Sequence, residues 1–125
     1  MDLILKFIKF SIVGFTGVIV DFGATFIAKE KLKIQKYIAN SIGFTLAATN
    51  NYILNRIWTF QSKDPEILLQ YGKFFIISVI GLLLNNLIVY LLHGRTKLNF
   101  YISKGFAILV VTLWNFLANY KFTFR

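Results

Sequence analysis

Polar side chains that interrupt apolar segments are the residues of this chain whose types and spacing suggest chemistry. Residues 50–60 read NNYILNRIWTF and place Asn51, Asn55 and Arg56 at the end of an apolar run. Asparagine amides both donate and accept hydrogen bonds, and the arginine guanidinium is a planar fork that suits phosphate oxygens. This order of residues suggests either a groove for a phosphate-bearing headgroup or, alternatively, hydrogen bonds between helices with an interfacial arginine anchor.

A second segment, WNFLANYKFTF at 114–124, repeats this pattern with Asn115, Asn119 and Lys121. In each segment the two asparagines are four residues apart, so they share one face of a helix. The second segment has a tyrosine where the first has Arg56. A phosphate site is therefore expected first in the earlier segment.

Asp21 is the one carboxylate inside an apolar run, and Asn85 is its counterpart later in the chain. An ionised acid in hydrocarbon costs at least about 2.5 kcal/mol even on insertion scales, so it should face protein and have a partner, or stay protonated. The functional interpretation is an acid that contacts substrate or carries a proton. The structural alternative is a hydrogen bond to a neighbouring helix.

The elements that must position these side chains follow from composition. The chain has 125 residues, of which 57% are hydrophobic and 15% charged. Cutting it at its charges leaves four apolar runs, at about 10–28, 37–57, 74–92 and 101–118. Each is long enough as a helix to cross a hydrocarbon core about 30 Å thick. The sequence predicts an all-α integral membrane protein with four transmembrane helices.

The four helices form two repeats, because the sequence matches itself at a constant offset of 64 residues. The predicted boundaries are repeat 1 at 7–61, a linker at 62–70 and repeat 2 at 71–125, within one membrane domain. Each repeat crosses the membrane twice, so the two should be parallel. The polar and glycine matches pair Lys9 with Lys73, Gly17 with Gly81, Asp21 with Asn85, Asn51 with Asn115, Asn55 with Asn119 and Thr59 with Thr123.

The net charge of +9 points to a membrane surface or anionic headgroups as partners. The basic residues flank apolar helices instead of forming a stripe between stacking aromatics, which argues against nucleic acid. Seven Lys and Arg residues are expected on each side of the membrane, so the positive-inside rule gives no orientation. The side that holds both termini has Lys6, Lys9, Arg56, Lys63, Lys73, Lys121 and Arg125.

Several function classes have no support in the sequence. The first apolar run is longer than a signal-peptide core and is followed by Lys29, Glu30 and Lys31, so a membrane span is predicted there instead of a cleaved signal. There are no cysteines, and His93 is isolated. No nucleophile with a base, phosphate loop or metal-ligand cluster is found. We therefore expect no cofactor and no catalysis by this chain.

The segment FSIVGFTGVIVD at 10–21, followed by NNYILNRIWTF and its echo WNFLANYKFTF, resembles the GtrA-like family. The resemblance covers nearly the whole chain. It implies a small bacterial inner-membrane protein with cytoplasmic termini, which moves polyprenyl-phosphate-linked sugars for a membrane glycosyltransferase in polysaccharide or teichoic acid synthesis. Asp21, Asn51, Asn55 and Arg56 match motif positions of the family.

The leading hypothesis is a flippase, or a flippase component, that acts as a homo-oligomer because four helices are few to enclose a sugar path. In it the phosphate is held by Arg56 with Lys9, Lys73 and Lys121, the sugar by the asparagines, and Asp21 lies deeper. Two alternatives remain open. One is a four-helix cation or drug exporter that uses Asp21, and the other is a membrane anchor for a glycosyltransferase that transports nothing.

Overall fold

The computed structural model describes residues 2–124, apart from the side chain of Tyr101. Within these residues the chain forms four α-helices and no strand. Each helix continues into a π-helical turn: α1 (Leu3–Phe26) into Ile27–Lys31, α2 (Lys36–Leu54) into Asn55–Thr59, α3 (Ile67–Val89) into Tyr90–Arg95, and α4 (Phe100–Ala118) into Asn119–Thr123. The prediction of four helices is confirmed. Arg125, one of the counted basic residues and the end of repeat 2, lies outside the described residues.

A membrane environment explains the surface of these helices. By length and composition, three of the described helical segments are apolar enough to cross a bilayer: Leu3–Lys31, Ile67–Arg95 and Ile102–Thr123. The helix α2 is not among these three segments because it carries several Asn, Ser and Thr residues and is therefore more polar. Large apolar side chains such as Phe22, Leu68 and Leu109 are exposed. A water-soluble protein rarely exposes so continuous an apolar surface, so the chain is a membrane protein.

Two of the helices begin earlier than the charge pattern predicts. α1 starts at Leu3, because the Asp2 carboxylate caps it by accepting from the Ile4 amide at 3.2 Å. α3 starts at Ile67, within the predicted linker, since the apolar residues after Glu66 continue the helical pattern toward Lys73. Lysines do not break helices, so a charge marks where hydrocarbon ends and not where a helix ends.

The chain divides into two compact units, residues 1–65 and 66–125. Unit 1 packs α1 against α2, and unit 2 packs α3 against α4. The parallel arrangement of the units in the membrane stays a prediction.

The two units bury the same positions. In unit 1, α1 buries Phe10, Val13 and Gly17. In unit 2, α3 buries the residues 64 positions later, which are Phe74, Ile77 and Gly81. The correspondence extends to ring contacts, because Phe10 meets Phe60 edge-to-face at 6.3 Å and Phe74 meets Phe124 at 6.1 Å. The internal repeat is therefore a repeat of packing as well as of sequence.

Helix ends are closed by backbone hydrogen bonds beyond the π-helical turns. The Ile34 amide donates to the Ala28 carbonyl at 2.9 Å, and the Ser62 amide donates to the Arg56 carbonyl at 2.8 Å. A residue with positive φ lies just before each of these amides, Lys33 at 58° and Gln61 at 47°. These bonds satisfy carbonyls that a helix end otherwise leaves without partners, which matters near hydrocarbon.

Glycines allow the two helices of each unit to meet closely. A Cβ on Gly17 would lie 2.7 Å from Asn51 Nδ2, and one on Gly81 would lie 2.7 Å from Asn115 Oδ1. A Cβ on Gly43 would lie 2.7 Å from the backbone carbonyl oxygen of Asp21. Gly14, predicted on the packed face, has no such neighbour within 4 Å. The paired helices therefore meet closely at Gly17, Gly43 and Gly81, and not at Gly14.

We expect Gly43→Ala to destabilise the protein, because the backbone oxygen of Asp21 cannot turn away as a side chain can. Overpacking of this kind costs about 1–3 kcal/mol. The matched control is Gly14→Ala, which should be neutral or slightly stabilising because alanine favours helix. Thermal unfolding of both variants in detergent micelles measures the difference, and equal melting temperatures would contradict the packing described.

Candidate functional site

One end of unit 1 combines cations with aromatic rings. The Lys6 ammonium lies 5.9 Å from the centre of the Phe60 ring, and the Lys9 ammonium lies 5.1 Å from that of Trp58. Arg56 lies in the same π-helical turn as Trp58. We call these five residues the basic end of unit 1. The arrangement concentrates positive charge where α1 begins and α2 ends, which attracts an anionic headgroup.

Arg56 connects this end to the linker. Its Nη2 donates to the Asp64 backbone carbonyl at 2.7 Å, eight residues further along the chain. The side chain is half-buried, in contrast to the exposed Lys73 and Lys121 of unit 2. The Arg56 guanidinium is therefore held in place by a hydrogen bond, whereas the side chains of Lys73 and Lys121 are exposed at the protein surface.

Next to the basic end lies a pair of buried polar side chains. The Thr59 hydroxyl donates to Asn55 Oδ1 at 2.7 Å, and both residues are at most 1% exposed. Unit 2 repeats the bond between Thr123 and Asn119 at 2.7 Å. Both asparagines are thus engaged inside their units, and this bond holds each π-helical turn together.

About one turn deeper, unit 1 has a chain of half-buried polar groups. Asn50 Nδ2 donates to the Thr16 hydroxyl at 3.1 Å, and that hydroxyl donates to the Val13 carbonyl at 2.6 Å. Asn50 Nδ2 also lies 3.4 Å from Asn51 Oδ1. Asn51 itself rests on Gly17. This level joins α1 to α2 through side chains that remain partly accessible.

Unit 2 builds the same level differently. Trp114 stands at the position of Asn50, and its indole N–H donates to the Ile77 carbonyl at 3.2 Å. Ile77 is the counterpart of Val13. The Trp114 indole therefore bonds directly to this carbonyl, whereas in unit 1 Asn50 is linked to the Val13 carbonyl through the Thr16 hydroxyl. Asn115 rests on Gly81 as Asn51 rests on Gly17. Its Oδ1 atom, however, is buried and has no hydrogen-bond partner among the described residues.

The deepest level of unit 1 contains the carboxylate. Asp21 Oδ1 accepts from the Thr25 hydroxyl at 3.2 Å, and Gly43 of α2 leaves the space that this pair occupies. Among the described residues Asp21 forms no ion pair, in contrast to the exposed Lys29–Glu30 pair nearby. Unit 2 has Asn85, Val89 and Ala107 at these three positions. The acidic niche is therefore specific to unit 1.

Together these levels form what we call the polar track of unit 1: Thr59 and Asn55, then Asn50, Asn51 and Thr16, then Asp21 and Thr25. Along α2 and its π-helical turn it extends from Thr59 to the level of Gly43, beside Asp21 and Thr25, which at 1.5 Å per residue is about 24 Å. A hydrocarbon core is about 30 Å thick. Polar groups thus occur at successive levels over a length comparable with the thickness of a hydrocarbon core.

The predicted residues are distributed between both units. Lys9, Arg56, Asn51, Asn55 and Asp21 lie in unit 1, and Asn85, Asn115, Asn119, Lys73 and Lys121 lie in unit 2. Sequence reasoning missed Lys6, Thr16, Asn50 and Gly43. The offset comparison carries a signal for three of these, because Thr16, Gly43 and Asn50 differ from their partners Ile80, Ala107 and Trp114. No group of three or more potential metal ligands occurs among the described residues.

Comparison with known proteins places these features in a family. The model for the family described as GtrA/DPMS, transmembrane domain, matches residues 9–124. A relative from Pyrococcus furiosus, named dolichol-phosphate mannosyltransferase, is 33% identical over 88 residues. This alignment covers 70% of the present chain and 25% of the relative. The chain thus spans about a quarter of the length of that enzyme.

We expect Thr59→Val to destabilise unit 1, because it leaves the buried Asn55 Oδ1 without its donor. A buried acceptor left without a partner costs about 1–3 kcal/mol. The matched control is Thr45→Val, an exposed threonine on α2, which should change stability by less than about 0.5 kcal/mol. Thermal unfolding followed by circular dichroism measures the melting temperatures of both variants. Equal melting temperatures would contradict the prediction.

Proposed function

Because the chain belongs to the GtrA/DPMS transmembrane-domain family, we propose that it is a flippase, or a flippase component, for a polyprenyl-phosphate-linked sugar. The family connects the chain with polyprenyl-phosphate sugars and with the glycosyltransferases that use them. The proposal adds transport across the cytoplasmic membrane of a bacterium, with cytoplasmic termini, for polysaccharide or teichoic acid glycosylation.

The polar track of unit 1 is the observation that carries this proposal. A sugar phosphate in bare hydrocarbon loses its hydrogen bonds to water, and each polar group left without a partner costs several kcal/mol. Half-buried partners at successive depths lower this barrier because they replace water step by step. Asn50, Asn51, Thr16, Asp21 and Thr25 are such partners, since none of them is fully buried.

The roles follow from the chemistry of each group. Arg56 and Lys9 hold the phosphate at the basic end, and Lys73 with Lys121 supply charge at unit 2. Sugar hydroxyls go to the half-buried amides Asn51, Asn115 and Asn85. Asn55 and Asn119 are buried and bonded to threonines, so they support the site from inside.

Asp21 has a separate role in the proposal. The carboxylate accepts from Thr25 and has no cation beside it, so it is placed to accept sugar hydroxyls or to carry a proton. The chain itself performs no group transfer in this scheme and requires no cofactor. We further propose that copies of the chain associate, because four helices are few to surround a sugar headgroup.

We expect the double variant Arg56→Ala with Asp21→Asn to translocate the lipid at least about tenfold more slowly, since a hydrogen bond to a charged group contributes about 1.5–3 kcal/mol. Proteoliposomes containing radiolabelled polyprenyl-phosphate glucose measure the rate through oxidation of the outward sugar by external periodate. Lys63→Ala, an exposed lysine of the linker, is the matched control for charge and should keep the wild-type rate. Unimpaired transport by the double variant would remove these site assignments.

A second candidate function is a membrane module that presents the lipid-linked sugar to a glycosyltransferase. It is favoured by the similarity to a quarter of a mannosyltransferase, in which the remaining length lies outside the match. Co-purification with a glycosyltransferase, together with no translocation by the reconstituted wild-type protein, would support this function over the flippase. The exporter alternative has no support in either comparison.

A further inference from the structure

The strongest asymmetry between the two units is an acceptor that lacks a donor. Asn51 Oδ1 lies 3.4 Å from the Asn50 amide, but Asn115 Oδ1 is buried and accepts no hydrogen bond from any described residue. The cause is visible in the sequence register, because unit 2 has Trp114 in place of Asn50. The indole N–H is used by the Ile77 carbonyl and is not available to the neighbouring amide.

Other donors nearby along the chain are also engaged. Asn119 Nδ2 donates to the backbone carbonyl of Asn115 at 2.7 Å, and the Ser78 hydroxyl donates to the Phe74 carbonyl at 3.0 Å. A buried acceptor without a donor costs about 1–3 kcal/mol, and this one lies in a spanning helix where water is scarce. Such a cost in a native protein calls for a physical explanation.

The depth of Asn115 restricts what can supply the donor. α4 with its π-helical turn covers residues 100–123, so Asn115 is only about 5 Å from the middle of the helix at 1.5 Å per residue. A headgroup resting at the membrane surface does not reach this depth. A donor that arrives here belongs to a group that enters the membrane.

The chemistry of the atom restricts the donor further. Oδ1 accepts and cannot bind the oxygens of an ionised phosphate, which are acceptors too. A sugar hydroxyl donates, whereas bare polyprenyl phosphate is mostly doubly ionised at neutral pH and then has no donor. Rotation of the Asn115 side chain costs no hydrogen bond at Oδ1, because this atom accepts none among the described residues. Rotation of Asn51, in contrast, would break the hydrogen bond that its Oδ1 accepts from Asn50. The side chain as a whole is half-buried, so rotation about its terminal bond can present Oδ1 to a ligand.

We propose that Asn115 is a sugar-reading residue, which accepts a hydrogen bond from a hydroxyl of the lipid-linked sugar and so distinguishes a sugar-bearing polyprenyl phosphate from the bare lipid. The inference rests on the proposed function for its substrate class. It assigns recognition of the sugar to a buried acceptor of unit 2. It concerns binding, and transport is a separate property.

The test combines affinity with stability in the purified full-length chain. Binding of polyprenyl-phosphate glucose, polyprenyl-phosphate mannose and bare polyprenyl phosphate is measured in nanodiscs for the wild type, Asn115→Leu and Asn51→Leu. Wild type should bind at least one sugar-bearing lipid about tenfold more tightly than the bare lipid, which corresponds to one hydrogen bond of about 1.4 kcal/mol. Relative to the wild type, Asn115→Leu should lose about tenfold of the preference for that sugar-bearing lipid over the bare lipid.

Melting temperatures separate a ligand-binding amide from a structural one. Asn115→Leu should melt at or above the wild-type temperature, because it removes an acceptor without a partner, whereas Asn51→Leu should melt lower because it leaves Asn50 with one acceptor fewer. Asn115→Ala, which removes the amide without adding bulk beside Gly81, should lose discrimination in the same way.

Three outcomes would overturn the inference. They are a wild type that does not discriminate, an Asn115→Ala variant that keeps discrimination, and an Asn115→Leu variant that melts lower while it still discriminates. The last would mean that the amide is satisfied by water or by a second copy of the chain. Loss of discrimination in Asn115→Leu, with no translocation by the reconstituted wild type, would support the inference and refute the flippase.

Discussion

Close contact between the two helices of each unit at Gly17 and Gly81 is the constraint on which the rest of the structure depends. Without a Cβ at these positions, the amides of Asn51 and Asn115 lie directly against the opposite helix. Hydrocarbon provides no hydrogen bonds, so polar groups in a spanning helix must find partners in protein. Glycine contacts bring those partners within reach, and the polar levels above and below follow from the same helix pairing.

Duplication of one hairpin with selective divergence explains which contacts the two units share and where they differ. Both units keep the buried aromatic and glycine positions and the asparagine–threonine bond at the π-helical turn. They differ at Arg56 and Tyr120, at Asp21 and Asn85, and at Asn50 and Trp114. The shared residues hold the helices together, and the divergent residues change the charge and the hydrogen-bond donors of each unit.

Coordinated differences support this view more strongly than single ones. The Asp21 carboxylate occurs with Thr25 as its donor and with Gly43 as the space beside it, and unit 2 lacks all three. In unit 2 the Trp114 indole donates directly to the backbone of α3. In unit 1 the corresponding link to the backbone of α1 needs both Asn50 and the Thr16 hydroxyl. Each exchange keeps the helix pair joined while it changes which polar atoms a ligand can meet.

The sequence by itself determined the membrane class, the four helices, the repeat offset and the family, because these depend on hydropathy and on periodic residue types. It also singled out Asp21, Arg56 and five asparagines as candidate site residues, since polar residues are rare in apolar runs. It misplaced the starts of α1 and α3, because a lysine ends an apolar run without ending a helix. Only the tertiary structure decided which amides have partners: Asn55 and Asn119 are bonded inside their units, Asn51 shares the level of Asn50, and Asn115 Oδ1 has no donor. The physical reason is that a hydrogen bond requires a distance and an angle between atoms on different helices, which residue types and their spacing along one chain do not specify.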